Sequence, residues 1–244
     1  MNVITKSGSN NIHGLASVYH RNSAFDSADI PGTSNVPYLL RWDYDVAGGG
    51  ALVRDKAFWF GSVENIHENR QLNFVPPPKT PQFLIDNEEV YNRPTTDREV
   101  RAFLKFDQVL GMHHLTEQMN YTNAHVNSNN PLSAYNALPS TRTNLGDRNL
   151  LLGFSDTMTL GNSASPYILT VRGQYRDEPT LNSAAHPQAG PNTTFNLFSS
   201  YTTGGIFGDL GTPNYGALFT PSTLDQKNTA LSAQVWPKPS VRTH

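Results

Sequence analysis

The sequence has no cysteine. That absence removes disulfide frameworks, thiolate-ligated zinc and thiol nucleophiles together, and it leaves the redox compartment open. Long apolar runs are missing too. The strongest are residues 150–154 and 57–63, far short of the roughly 20 residues that a membrane-crossing helix needs. Neither sign of charge prevails, with 18 Lys and Arg against 20 Asp and Glu, so no overall field draws the chain to nucleic acid or anionic lipid. Charge itself is scarce, at 16% of residues against about 25% in ordinary soluble domains. The opening Met1-Asn2-Val3-Ile4-Thr5-Lys6 lacks the basic stretch and apolar stretch of a secretory signal.

What is plentiful is turn chemistry: 18 Gly and 17 Pro among 244 residues, set among many Ser, Thr and Asn, a β-rich composition. The length suits one large domain or two small ones. A mean hydropathy of −0.48 does not argue against a membrane, because barrel strands show lipid only every second residue. Alternation is therefore the informative signal. Leu40, Trp42, Tyr44, Val46 and Leu52 fall on even positions, with Arg41, Asp43 and Asp45 on odd ones, which predicts a two-faced strand. Three charged residues, Arg54-Asp55-Lys56, interrupt it before a second β-prone run over residues 57–64, as in a tight hairpin.

The pattern recurs. Ala102, Leu104 and Phe106 oppose Arg101, Lys105 and Asp107; after a turn at Gly111-Met112-His113, Leu115, Met119 and Tyr121 oppose Thr116, Gln118 and Asn120, with Glu117 on the apolar side. Leu150, Leu152, Phe154, Met158 and Leu160 oppose Gly153, Ser155 and Thr157, with Leu151 and Asp156 out of place. Beyond Gly161-Asn162-Ser163, Tyr167, Leu169, Val171 and Tyr175 oppose Thr170, Arg172, Gln174 and Arg176, and Ile168 breaks the code. Residues 13–21 alternate Leu15, Ser17 and Tyr19 with Ala16, Val18 and His20.

Short turns near 53–56, 110–113 and 161–165 alternate with long connections near 22–39, 67–97, 127–147 and 178–222. In an antiparallel meander, successive connections lie at opposite rims, so one rim is plain and the other elaborate. Outer-membrane barrels have that form; soluble sandwiches scatter loop lengths and use strands of about five or six residues. The expected fold is all-β, an antiparallel meander of seven or eight strands forming part of a transmembrane β-barrel. Lipid cannot satisfy backbone N–H and C=O groups, which is why a crossing sheet must close. Trp42, Tyr121 and Tyr175 near the long connections, and Trp59 and Tyr167 near the short turns, fit two aromatic girdles. Alternation assigns Arg41, Asp43, Asp45, Arg101, Lys105, Asp107, Arg172 and Arg176 to the lumen, and Leu40, Trp42, Tyr44, Leu104, Phe106, Leu152, Phe154, Leu169 and Val171 to lipid. A soluble sheet with one wet face places the same charges in water, so the charges alone do not separate the two.

The stretch Asn2-Val3-Ile4-Thr5-Lys6-Ser7-Gly8-Ser9-Asn10-Asn11-Ile12-His13-Gly14 resembles the plug-to-barrel junction of TonB-dependent outer-membrane receptors. Arg21-Asn22-Ser23-Ala24-Phe25-Asp26 and Gly48-Gly49-Gly50-Ala51-Leu52-Val53-Arg54-Asp55-Lys56-Ala57-Phe58-Trp59-Phe60-Gly61-Ser62 resemble the Oar-like branch, whose members often carry a carboxypeptidase-regulatory-like domain upstream. Tyr201-Thr202-Thr203-Gly204-Gly205-Ile206-Phe207-Gly208 is a looser echo. The resemblance implies a plug inside a barrel of about 22 strands, energised uptake of a bulky ligand such as a siderophore, glycan or peptide, and partners in the TonB system and outer-membrane lipid. It implies residence in the outer membrane of a Gram-negative bacterium. On that basis residues 1–10 are the end of the plug and 11–244 the first part of the barrel. Too few strands, no TonB box and Pro237 and Pro239 near the end make the expectation a fragment, with a small eight-stranded barrel as the alternative.

No enzymatic chemistry emerges. Gly48-Gly49-Gly50 lies within a strand and lacks nucleotide-binding spacing; its glycines suit barrel curvature or close approach of a plug. His113-His114 reads as a turn pair that an extended backbone would point to opposite faces, which suits no metal. Glu64, Glu68, Asp86, Glu88 and Glu89 lack the rigid cleft of a glycosidase, and the last three read as a solvated acidic patch. There is no nucleophile elbow. No cofactor, metal or nucleic acid is expected. Tyr38, Phe74, Phe83, Tyr91, Tyr135 and Tyr201 offer stacking surfaces for sugars or peptides, and Pro76-Pro77-Pro78 stiffens its loop. The rival from another class is a secreted or surface β-protein that binds carbohydrate without transporting it.

Overall fold

The computed structural model describes residues 8–26, 38–71, 81–129, 138–162, 165–189, 193–194, 214–215 and 222–237. The plug segment before Gly8, Phe74, Pro76-Pro77-Pro78, Tyr135 and the motif 201–208 lie outside them. The strands are β1 (His13–Asn22), β2 (Leu39–Val53), β3 (Ala57–Arg70), β4 (Thr95–Leu110), β5 (His113–Asn129), β6 (Thr143–Asn162), β7 (Ser165–Ala184), the two-residue β8 (Thr193–Thr194) and β9 (Asn214–Tyr215), and β10 (Ser222–Pro237). One helix, α1 (Gln82–Glu89), and 3-10 turns at Ser23–Phe25, Pro139–Thr141 and Pro187–Ala189 sit in the long connections. Among the described residues no helix is long and apolar enough to cross a membrane.

Eight strands form one antiparallel sheet in the order β1-β2-β3-β4-β5-β6-β7-β10, and β8 pairs with β9. The sheet is an open meander among the described residues. Its three short turns are bounded by Val53 and Ala57, by Leu110 and His113, and by Asn162 and Ser165. His113, expected in a turn, opens β5. Asp55 at φ 62° and Gly111 at φ 65° supply the left-handed turn residues. The strands run well past the boundaries that alternation suggests, because β3, β5 and β7 continue into polar sequence that gives no period-two signal.

The stagger of the turns fixes a tilt. β4 runs two residues past Gln108, the partner of Ala57, to reach its turn. β6 runs four residues past Met158, the partner of His113, to reach its own. For three turns to lie at one level, the strands must slide about 20 Å while the sheet advances about 19 Å across four strands, taking roughly 3.3 Å per residue and 4.8 Å per strand. That is a tilt near 45°, the inclination of strands in closed barrels.

The register also separates two faces. Directly paired residues share a face, so the row Asp45↔Glu64↔Arg101↔Thr122↔Asn149 is polar throughout. Three positions on, the row Gly48↔Gly61↔Leu104↔Met119↔Leu152↔Tyr175 on the other face is mainly apolar. The polar face is the hollow one: two depressions of about 320 and 410 Å³ open on it, lined chiefly by Asn120, Thr122, Asn149, Gln174 and Arg176, and by Asp45, Ser62, Glu64, Arg101 and Phe103. Phe60 and Ile66 are buried there at 6% and 8% exposure, whereas Val46 and Val63 on the outer face stand 59% and 51% exposed. Gly49 and Gly50 permit close approach by neighbouring strands: a Cβ on Gly49 would lie 3.1 Å from the Phe60 ring, and one on Gly50 3.0 Å from Ile12.

The most deeply buried side chains lie at the long-connection rim. Leu138, Pro139, Ser140, Thr141, Thr143 and Thr95 are each under 2% exposed. A barrel wall turns one face outward and the other to a hydrated interior, so it has little of its own to bury; its compact core forms where the connections fold on one another.

Candidate functional site

All eight polar residues assigned to the lumen from alternation share the hollow face, and all nine apolar ones share the other. Five of the eight, on β2 and β4, form ion pairs, and two of these, Arg41 and Arg101, reach across to β3. Arg41 spans Asp43 at 3.2 Å and Glu68 at 3.3 Å, and Arg70 reaches Glu68 at 3.4 Å. Arg101 joins Glu64 at 3.0 Å to Glu99 at 2.7 Å, and Lys105 meets Asp107 at 3.2 Å. Asp45 lines the neighbouring depression. Arg172 and Arg176 stand apart on β7, with Arg176 bound to Glu178, across a stretch of β5 and β6 carrying Gln118, Asn120, Thr122 and Asn149 on that face. Such pairs are individually weak where water reaches them, about 0–1 kcal/mol each. Their effect is to keep a charged surface wet, paired and in register.

Near the short-turn end the apolar face carries a polar island. His113 Nδ1 lies 2.8 Å from Asp156 Oδ2, and Glu117 pairs across to Phe106 and Phe154. Asp156 is 8% exposed, and its Oδ1 has no hydrogen-bond partner. Higher up, Trp42 stacks between His20 at 3.9 Å and Tyr44 at 5.9 Å.

The rim is a second site. α1 follows Pro81, which supplies the extended entry to its first turn, and Gln82 donates to Asp86 one helical turn on, at 2.8 Å. Leu84 and Glu88, also one turn apart, are the helix's buried residues, at 4% and 3% exposure. The acidic patch expected to be solvated is thus divided. Asp86 and Glu89 face water, but Glu88 points into the protein and accepts from the Ser140 backbone N–H and hydroxyl, both at 2.7 Å. Its helical spacing with Leu84 is what turns it inward. Burial pushes the Glu88 carboxyl above the usual range, and the two Ser140 donors and the Arg142 charge oppose that.

Arg142, itself 3% exposed, donates to the Arg93 carbonyl at 2.5 Å and to Asn92 Oδ1 at 3.2 Å. Its carbonyl accepts from Ala185 N–H at 2.9 Å. Burial lowers the pKa of its guanidinium, and Glu88 works against the shift. His186, 8% exposed, places Nε2 3.5 Å from Ser128 Oγ and its ring 5.0 Å from that of Tyr91. Burial, then Arg142 and Arg93, push this imidazole below its ordinary value. Thr95 Oγ donates to the Ser128 carbonyl at 2.9 Å. Three long connections, after β3, β5 and β7, are thereby tied into one cap. Beside α1 a hollow of about 480 Å³ is lined by Phe83, Asp86, Asn87, Val90, Tyr91 and Ala189 among others. It brings together Phe83 and Tyr91 of the six rim aromatics; Tyr38 lies at the entry to β2.

Alternation could not find the cap. Its available signals were the helix-forming run Gln-Phe-Leu-Ile-Asp-Asn-Glu-Glu after Pro81 and the turn former Pro139. Among the described residues no group of three or more His, Asp or Glu is placed to hold a metal ion.

Residues 4–80, which span β1 to β3, match a family model described as an outer membrane beta barrel domain. No curated protein and no solved structure matches the chain. A sheet with this stagger, one hollow charged face and one apolar face suits the wall of a closed barrel, and with that match the chain is an outer-membrane β-barrel protein of Gram-negative bacteria.

Proposed function

We propose that this wall belongs to a TonB-dependent receptor of the Oar-like branch, which takes up a bulky ligand such as a siderophore, glycan or peptide by energised transport. In this reading the protein binds and passes its ligand without chemistry on it, needs no cofactor, and has outer-membrane lipid and the TonB system as partners. Arg41, Asp43, Asp45, Arg101, Lys105, Asp107, Arg172 and Arg176 line a hydrated interior that a plug occupies. Leu40, Trp42, Tyr44, Leu104, Phe106, Leu152, Phe154, Leu169 and Val171 meet acyl chains. The observation that carries the reading is the ion-pair lattice Glu68–Arg41–Asp43 and Glu64–Arg101–Glu99 on the hollow face, since charge at this density inside a membrane wall needs a wet or protein-filled interior. The junction motif and the contrast between plain and elaborate rims support it.

A second reading draws on the hollow beside α1. An aromatic pair, Phe83 and Tyr91, with Asp86 and Asn87 at the wall suits a sugar held by stacking and hydrogen bonds, as in a surface protein that binds carbohydrate without importing it. One experiment separates the two. The gene is deleted in its own host, with and without TonB, and uptake of ferric siderophores, oligosaccharides and peptides is compared. Loss of one uptake that TonB deletion also abolishes supports the receptor. Unchanged uptake of every class, with surface binding of a glycan lost, supports the second reading.

A further inference from the structure

The three long connections of the rim converge on one histidine. His186 follows β7; its ring lies 5.0 Å from that of Tyr91 after α1, its Nε2 lies 3.5 Å from Ser128 Oγ of β5, and it feels the charges of Arg93 and of Arg142 from the turn before β6. Its ring is neutral or cationic according to pH, and the charges acting on it, Arg142 and Arg93, are both positive. Glu88 accepts two hydrogen bonds from Ser140 and counters Arg142. A proton on His186 in the closed cap would therefore bury a third cation against two others.

We propose that the described part of the rim cap is an acid-released latch, in which neutral His186 locks residues 185–189 onto Tyr91, Ser128 and Arg142, and protonated His186 lets them go. The latch stands on the geometry of the cap and does not depend on the transport reading. The sign follows from linkage. The closed cap holds His186 below its ordinary value near 6.5, so the open cap binds the proton more readily. Closure is at full strength above about pH 6.5 and weakens as pH falls towards the closed-state value. Glu88 acts in the opposite sense. Its carboxyl is raised from 4.5 in the closed cap, so its protonation favours closure and opposes the release. Arg142, Arg93 and Tyr91 are the other ionisable groups that face the ring.

The absence of cysteine makes the test direct. Glu89 and Gln188 are exposed, on α1 and on the Pro187–Ala189 turn; cysteines introduced at both carry spin labels as the sole thiol adducts. In the full chain in outer-membrane vesicles, the interlabel distance should be single and narrow at pH 7.5. At pH 5.5 a longer component should appear, its ratio to the closed form rising by no more than about tenfold per pH unit for one proton. His186→Gln and His186→Phe cannot take up that proton, and in each variant that closes at pH 7.5 the acid component should vanish. In the His186 background, Arg93→Gln removes one opposing cation from an exposed position and should lower the open fraction at pH 5.5. A distance distribution identical at the two pH values overturns the latch. So does an acid component that survives in a closed His186 variant, or an open fraction that Arg93→Gln leaves unchanged.

Discussion

Leu104 offers the sharpest test of which face meets lipid. It lies on the apolar face, against Gly61 on β3 and Met119 on β5, six residues before β4 ends at Leu110. At about 3.3 Å per residue and a 45° tilt, it stands roughly 14 Å above the turn, near the middle of an apolar band about 25 Å tall. A guanidinium there must leave water or drag water and headgroups inward. Leu104→Arg should therefore cost about 2–4 kcal/mol. Asn120→Arg is the control, since Asn120 is on the opposite face and lines both depressions, where a new charge stays hydrated. Its cost should be under about 1 kcal/mol. Urea titration of the protein in phosphatidylcholine vesicles, followed by its three tryptophans, measures both. Equal losses, or a harmless Leu104→Arg, would refute the facing of the sheet.

Two further substitutions probe the departures from the pattern. His113→Ala leaves Asp156 buried beside its lost partner and should destabilise by about 3 kcal/mol, whereas the double change with Asp156→Leu should recover most of that, because an apolar pair has no charge to desolvate; the same urea titration reads both. Glu88→Gln can accept only one of the two Ser140 hydrogen bonds and should loosen the rim by about 1–2 kcal/mol. Hydrogen exchange should then quicken at residues 82–91 and 138–142 while protection in β4 to β7 stays as it was.

The wall was legible because each of its strands obeys one rule, set by two different solvents on its two faces. Leu150, Leu152 and Phe154 against Gly153 and Ser155 is that rule in the open, and the register puts them where alternation does. The exceptions mark where another force acts. Asp156 breaks the code because His113, 43 positions away in sequence, partners one of its carboxylate oxygens across the sheet, and period-two reading sees only one strand at a time. Glu88 departs from the solvated patch for a related reason: in a loop a carboxylate defaults to water, but helical spacing with Leu84 turns it towards Ser140, 52 residues on. The cap as a whole depends on contacts among three connections, and neither propensity nor hydropathy encodes which connections meet. Phe60 illustrates the middle case, since the run over residues 57–64 reads as a strand but does not show that Gly49 is the space the Phe60 ring fills.

The edges of the sheet carry the argument furthest. All the described side chains of β10 are exposed, as are those of β1 up to Asn22. The ladder from Ser222 to Pro237 is bonded to β7 along one side. Within hydrocarbon, every second N–H along the other side would face lipid at a cost of several kcal/mol each, far more than a domain's net stability. The wall therefore requires another strand against β10 wherever it crosses the membrane. Proline tests this without knowledge of the neighbour. In an antiparallel ladder, adjacent residues send their N–H groups to opposite sides, so of Ala230 and Leu231, one donates towards β7 and the other away from it. If the outer edge is paired, Ala230→Pro and Leu231→Pro each remove a ladder bond and should be comparably damaging, about 3 kcal/mol. If that edge is bare, only one of them should be. Heat-modifiable mobility of the two variants, refolded into vesicles, distinguishes the cases, and a single sensitive position would mean that β10 ends the wall.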